Sequence, residues 1–261
     1  MNTLNVCIGH VPFPAGHAHF VDLLISPNAV PGNIRRKAIV PDELYGEHGH
    51  ALSEYAQLFW LFRNLDSIAS GYEYLNIFQY RRFISPTPVN APKASNLPWA
   101  SVVQEAELGN YAYCFERQRA NSCFNTPITL GAAGVIAQYQ GAHVLEDFLS
   151  FTQYMMGEKL FDSSDALKFI SQQHFVPSCS IGLYHVDLFR SIFAVLERAS
   201  EFMNSPRFVA RDGYQRRSVG FLLERLHSYL IVEHFRNAGV FGHNMLISDS
   251  AVATHTADRV Q

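Results

Sequence analysis

The segment YLNIFQYRRFISP, residues 74–86, sets an apolar run directly before Gln79, Tyr80, Arg81 and Arg82, with Pro86 as its stop. The run reads as a buried strand. Two adjacent arginines leaving such a strand are costly unless something anionic meets them. Guanidinium is a planar fork of donors that matches phosphate or carboxylate. In open α/β sheets, ligands bind beyond the carboxyl ends of strands. Chemistry and position therefore agree on a bound anion, with a structural ion pair to a neighbouring helix as the alternative. Tyr80 is placed either to stack on a base or to fill the core.

Glu224 and Arg225 interrupt an otherwise apolar helix, RRSVGFLLERLHSYL. Arg217 lies seven residues earlier, two turns away on about the same face. A carboxylate there could serve as a general base whose pKa is set by arginine neighbours. A salt bridge that orients the helix is the other reading. His143, Glu146 and Asp147 form a smaller group in GAHVLEDF, where acidic residues also suit the positive end of a helix. His10, His17 and His19 fall in one loop and His48 and His50 in another. Imidazole suits several transition metals, but no carboxylate stands at a ligand spacing beside them. A metal-dependent hydrolase built on these histidines remains a third-rank alternative.

These groups need a scaffold. Residues 4–8 read as a first strand, followed by a loop over 11–19 and a second short element over 21–25. Residues 26–49 read as a long irregular connection carrying Arg35-Arg36-Lys37. Residues 52–65 show helical spacing with a wide apolar face, capped by Ser53 and broken at Gly71. Strand, loop, helix, strand opens an α/β fold. Beyond the arginines, 84–99 reads as a proline-rich loop or crossover and 111–115 as a strand. A polar turn region comes next over 117–127, then helices over 130–139, 143–154 and 161–172, the last starting at Ser163 or Ser164. A buried strand over 176–184 leads to strong helices over 186–202 and 218–235. A last strand spans 240–247, and the final dozen residues read as a loose tail. Nothing cuts the chain in two, so a single domain is expected over 1–261.

The chain has 261 residues and 48% apolar composition, enough for a substantial core, and a net charge of −3 that excludes a general grip on nucleic acid. No run of about eighteen apolar residues signals a membrane span, although peripheral contact with a membrane surface stays open. The N-terminus lacks a signal-peptide pattern. Cys7, Cys114, Cys123 and Cys179 are scattered and read as free thiols in a reducing cytoplasm. The Walker A, G-x-G-x-x-G and G-x-S-x-G motifs are missing. So is an Asp-x-Asp after a strand.

Several segments together resemble the bacterial polysaccharide glycosyltransferases catalogued as domain of unknown function 4422. Gly9-His10-Val11 stands where that family has a Thr-His-Lys type turn. Leu52-Ser53-Glu54 and Phe59-Trp60-Leu61-Phe62-Arg63-Asn64 resemble its Ile-Ser-Glu segment and aromatic helix. Gln79-Tyr80-Arg81-Arg82-Phe83-Ile84 resembles its His-Tyr-Arg-Arg-Tyr-Phe. His143 through Asp147, Ser180-Ile181-Gly182-Leu183 and the helix from Arg217 to Leu226 are similar to three further motifs. The resemblance runs from about residue 6 to about residue 231. Gln79 replaces a histidine of the family and Ser180 an asparagine.

The resemblance implies an α/β fold with a GT-A-like nucleotide-binding mixed sheet flanked by helices and a helical C-terminal part. It also implies transfer of a hexose, often galactose from UDP, to a glycan or lipid-linked glycan acceptor in capsule, O-antigen or exopolysaccharide synthesis. The expected setting is the cytoplasm, at the inner face of the membrane in one version. About 1–115 would be the donor half, 116–247 the acceptor half and 248–261 the tail. Gly9, His10, Ser53, Glu54, Gln79, Tyr80, Arg81 and Arg82 would form the donor pocket. Glu224 or Asp147 would be the base, with His143, Ser180, Arg217 and Arg225 supporting the acceptor side. The arginine pair occupies the strand end where other GT-A enzymes hold Asp-x-Asp and a metal. No cofactor is therefore expected, Mg²⁺ or Mn²⁺ being the less favoured option. The replacements at Gln79 and Ser180 motivate a rival reading, a non-catalytic nucleotide-sugar or carbohydrate-binding relative.

Overall fold

Strand β1 (Thr3–Ile8) is buried along its whole length, as expected of a continuous apolar run in a parallel sheet. The structure is a computed structural model and describes residues 2–27, 36–39, 49–95, 97–118, 121–235 and 240–248. A 3-10 segment (Ala15–Phe20) leads to β2 (Leu23–Ser26), parallel to β1. The connection read as irregular contains β3 (Arg36–Ile39), parallel to β2 at the sheet edge. Its sequence RKAI is largely exposed and lacks the apolar alternation that marks a strand. Arg35, His48 and the tail beyond residue 248 lie outside the described residues, as does the His50 side chain.

The expected long helix is three pieces: α1 (Gly49–Leu52), α2 (Tyr55–Arg63) and α3 (Leu65–Ile68). Ser53 is not a cap. It sits in the left-handed region at φ +57, and Glu54 occupies the cap position of α2 without a capping hydrogen bond. Next, β4 (Tyr74–Gln79) runs parallel to β1 with Ile8 opposite Gln79. The arginines do not leave the sheet. Tyr80 and Arg81 form a tight connection, and Arg82 already belongs to antiparallel β5 (Arg82–Ser85). The stretch read as a loop holds β6 (Lys93–Ala94) and the start of β7 (Leu97–Gln104).

The strand expected over 111–115 is helical. Glu105–Phe115 is a 3-10 segment opened by a reciprocal capping box between Gln104 and Glu107. It lies against the sheet, fixed by buried asparagines: Asn5 Nδ2 donates to the Phe115 carbonyl and Asn76 Nδ2 to the Cys114 carbonyl. Short strands β8 (Phe124–Asn125) and β9 (Ile128–Thr129) come next. Then come α4 (Gly134–Gln140), α5 (Leu145–Gly157) and α6 (Ser163–Ile170). Asp162, rather than either serine, caps α6 through the Asp165 amide.

Of the strand expected over 176–184, only its end forms. β10 (His174–Phe175) pairs with β9, residues 177–180 turn, and β11 (Gly182–His185) pairs antiparallel with β4. Helices α7 (Val186–Ser200) and α8 (Ser218–Phe235) stand where their periodicity indicates, with a 3-10 turn (Gly213–Arg217) leading into α8. Finally β12 (Phe241–Ser248) returns between β5 and β7. The main sheet therefore runs β3-β2-β1-β4-β5-β12-β7-β6, mixed in direction. One face packs Val6, Ile8, Leu75 and Ile77 against the helices, and the other packs Cys7, Phe78 and Met245 against Phe115. All four cysteines are buried free thiols.

Candidate functional site

The parallel strands β1 and β4 end side by side, and the first cluster forms just beyond them. Gly9 is buried against Tyr80; a β-carbon on it would lie 3.0 Å from Tyr80 Cδ1. His10 meets the same tyrosine edge-on, ring centroids 5.1 Å apart. Arg81 lies over the Tyr80 ring at 5.3 Å. Among the described residues Arg81 has no carboxylate within ion-pair distance, and its Nε is buried without a partner. Gln79 is half-buried, in register with Arg82.

Arg82 belongs to a second and denser cluster. Its Nη1 donates to Ser178 Oγ at 3.2 Å, while its Nε is buried and unpartnered. It also lies 5.7 Å from the centre of the Trp99 ring. Burial and then Arg81 lower its pKa, opposed by Glu54, Glu224 and Tyr80. An arginine keeps its proton under such pressure, so the site holds a fixed cation that remains short of acceptor partners.

The turn at 178–180 links Arg82 to Glu54 and to the backbone of Glu224. Ser178 is left-handed at φ +52. Cys179 Sγ donates to the Glu224 carbonyl at 3.3 Å, and Ser180 Oγ donates to Glu54 Oε1 at 3.0 Å. Glu54 Oε2 accepts from Ser53 Oγ at 2.9 Å and lies 3.8 Å from Arg217 Nη2, which also donates to Ser53 Oγ. The left-handed turn at Ser53 fits closely under α8. A β-carbon on Gly220 would meet Ser53 Cβ at 2.9 Å and the Leu52 carbonyl oxygen at 3.1 Å.

Glu224 accepts from Arg225 Nη1 at 2.7 Å. Arg225 is buried and held besides by Gln138 Oε1 and the Phe221 carbonyl. The Glu224 pKa is raised by burial; Arg225 opposes this, Glu54 adds to it, and Arg82 and Arg217 oppose it. Protein surrounds the carboxylate, yet its side chain keeps 31% exposure. It is thus accessible, poised above the ordinary carboxylate range, and within the field of three arginines.

Asp147 differs. Both its oxygens are taken by Arg211, Nη2 at 2.7 Å and Nε at 3.3 Å, and only 7% of its side chain is exposed. His143 stacks on Phe221 at 4.0 Å and faces Gln215, whose amide donates to the Ala142 carbonyl. It therefore braces the turn that carries Arg217.

Beneath the site lies a buried polar network that sequence reading missed. Tyr184 Oη donates to the Cys179 carbonyl at 2.6 Å, which leaves its oxygen to accept from His227 Nε2 at 3.0 Å. His227 Nδ1 then accepts from Tyr55 Oη at 3.2 Å. Burial pushes the His227 pKa down to about 3, so the imidazole is neutral. Ser178, Gln138, Trp99 and Arg211 were also missed. The one visible trace was a small-residue run, Pro177-Ser178-Cys179-Ser180, inside an apolar stretch.

No group of three or more metal-ligating side chains occurs among the described residues, and no helix among them is long and apolar enough to cross a membrane. No family model matches the sequence, and no curated protein matches it. Among solved structures the chain is similar to one titled as the WbbM bifunctional glycosyltransferase in its apo form. The TM-score is 0.68 at 12% identity, over 95% of this chain and 46% of that one. The chain thus shares the fold of part of a glycosyltransferase, and spans just under half the length of that protein.

Proposed function

We propose that this chain is a glycosyltransferase that moves a hexose from a nucleotide-diphosphate donor, UDP-linked in the favoured version, to a glycan acceptor in polysaccharide assembly. The same reading assigns it to the family catalogued as domain of unknown function 4422. One observation carries the proposal. The three-residue turn 178–180 is hydrogen-bonded to the Arg82 guanidinium, the Glu54 carboxylate and the Glu224 backbone, and Arg217 lies 3.8 Å from Glu54. This arrangement can do the two things the reaction needs.

Arg81 and Arg82 oppose the leaving diphosphate. Preorganised positive charge aimed where negative charge develops is the main electrostatic source of catalysis. Fixed guanidiniums can supply it without a divalent ion, and metal independence is part of the proposal. Glu224 takes the proton of the acceptor hydroxyl. That oxygen attacks the anomeric carbon, and the bond to the diphosphate breaks with its electron pair leaving on UDP. An inverting transfer needs only this one carboxylate. Because both oxygens of Asp147 are engaged by Arg211, Glu224 is the preferred base.

The test is a thermal-shift screen against UDP and UDP-sugars in EDTA and in Mn²⁺. Binding to the native state raises Tm by mass action. A rise in EDTA with UDP-hexoses, accompanied by slow release of UDP, is expected. No shift with any nucleotide would overturn the reading. Turnover that vanishes in EDTA and returns with Mn²⁺ would overturn metal independence alone. Binding without turnover across donors and acceptors would leave the non-catalytic relative.

A further inference from the structure

Tyr214 keeps 49% of its surface exposed, one of few large side chains with an apolar body to do so. It does not stand alone. Its ring lies 5.0 Å from Phe221, and His143 stacks on that phenylalanine at 4.0 Å and runs within 14° of parallel to Tyr214. Arg217 lies over the same phenylalanine, its guanidinium 5.4 Å from the Phe221 ring centre. Arg217 in turn reaches Ser53 and Glu54. An aromatic platform therefore begins in solvent and ends at the charged site.

Local geometry aligns it. Tyr214 and Arg217 are three apart on a 3-10 turn, so their side chains fall on one line. Arg217, the last residue of that turn, lies over Phe221, which shares a face of α8 with Glu224. Tyr214, Arg217, Phe221 and Glu224 thus form a single track. Phe221, whose ring lies 5.0 Å from that of Tyr214, stands three residues before Glu224, about 4.5 Å of helix rise.

We propose that this track is an acceptor-glycan subsite, resting on the reading of Glu224 as the base, and that Tyr214 stacks against a pyranose ring. Aldopyranoses have one face lined by axial C–H groups, which carry slight positive charge. An aromatic face is negative and apolar, and the two are complementary. Arg217 flanks the platform; its side chain is 46% exposed, and a guanidinium has five N–H donors, of which one goes to Ser53, so others can meet ring hydroxyls. The acceptor class is then a glycan that presents such a pyranose face.

Saturation-transfer NMR tests this with the full chain and named probes: methyl β-galactopyranoside, methyl α-mannopyranoside, lactose and maltotriose. Saturation should reach ring C–H protons of at least one. Tyr214→Ala should lower the signal at least threefold, and Tyr214→Trp should restore it. The thermal shift produced by UDP checks that the variants are folded. An unchanged signal in Tyr214→Ala, or no saturation of any probe, overturns the subsite. If UDP fails to bind wild type while saturation still depends on Tyr214, the platform stands and the transferase reading falls.

Discussion

Ser180 Oγ donates to Glu54 Oε1 at 3.0 Å, which ties the turn before β11 to the start of α2. Ser178, two residues earlier, holds Arg82, and Cys179 between them holds the backbone of Glu224. Three consecutive residues thus fix the separation of a cation and two carboxylates borne on β5, α2 and α8. The turn is itself held from below, where Tyr184 binds the Cys179 carbonyl and His227 binds Tyr184. Precision at the site therefore derives from the packed interior and not from a loop.

Arg82 carries the first prediction. Its Nη1 is positioned by Ser178 and its Nε has no partner, so a bound diphosphate would complete its hydrogen bonding. Bonds to charged groups contribute about 1.5–3 kcal/mol. Arg82→Ala should weaken UDP binding by about 10- to 100-fold, read by titration calorimetry. Arg82→Lys keeps the charge but loses the fork and should recover only part. UDP affinity within twofold of wild type in Arg82→Ala would place the diphosphate elsewhere.

Glu224 sets the pH profile of transfer. Burial raises its pKa, so the transfer rate should rise with pH through a midpoint above the ordinary glutamate value of about 4.3. The stability sign is opposite. A carboxyl with a raised folded pKa stabilises below the unfolded pKa and loses that contribution as pH rises through the folded one. The reactive ionised form is therefore the less stable one. Glu224→Gln should lower kcat by about 10²–10⁴ while the thermal shift with UDP persists. Asp147→Asn should instead cost about 1.5–3 kcal/mol of stability with kcat per folded molecule retained. The reverse pattern would make Asp147 the base.

His227 makes a prediction about stability alone. Its folded pKa of about 3 lies below the ordinary histidine value of about 6.5. Between these values the unfolded chain binds a proton that the folded chain refuses. The stabilisation is complete above pH 6.5 and is lost as pH falls toward 3, by about 1.4 kcal/mol per pH unit. His227→Gln should be less stable than wild type at pH 7, having lost a hydrogen bond to Tyr55 or Tyr184. The two stabilities should converge as pH falls from 6.5 to 4. Urea denaturation at stepped pH reads this directly, and parallel curves would mean that His227 is protonated in the fold.

How legible these features were depends on whether their causes are local. Helices α7 and α8 and strands β1 and β4 were readable from periodicity, because each buries one continuous stripe or run. The arginine pair is plain in the sequence, but its setting in a tight hairpin was not readable. A two-residue hairpin usually announces itself with Asn-Gly or a similar pair, and Tyr80-Arg81 carries neither. Strands β6 and β7 were hidden by prolines at 86, 88, 92 and 98, which suit edge strands and strand starts as well as loops. Residues 111–115 alternate like a strand but lie behind a capping box that begins at Gln104. The pairing of Asp147 with Arg211, 64 residues apart, has no local cause at all.

Gly220 tests whether the fit between α8 and the Ser53 turn matters. In an exposed helix interior, alanine is favoured over glycine by about 1 kcal/mol. Here the added carbon would stand 2.9 Å from Ser53 Cβ, 3.1 Å from the Leu52 oxygen and 3.2 Å from the Ala51 oxygen. Two of these are backbone atoms, which cannot swing aside as a side chain can. Relief therefore requires moving the turn from α8, and overpacking of this kind costs about 1–3 kcal/mol. The movement would carry Ser53 away from Arg217 and Glu54 away from Ser180. Gly220→Ala should thus lower Tm and also weaken UDP binding, although it touches neither arginine of the β4–β5 hairpin. A variant with lower Tm but unchanged UDP affinity would show that the turn serves stability alone, and that Ser53 and Glu54 lie outside the donor site.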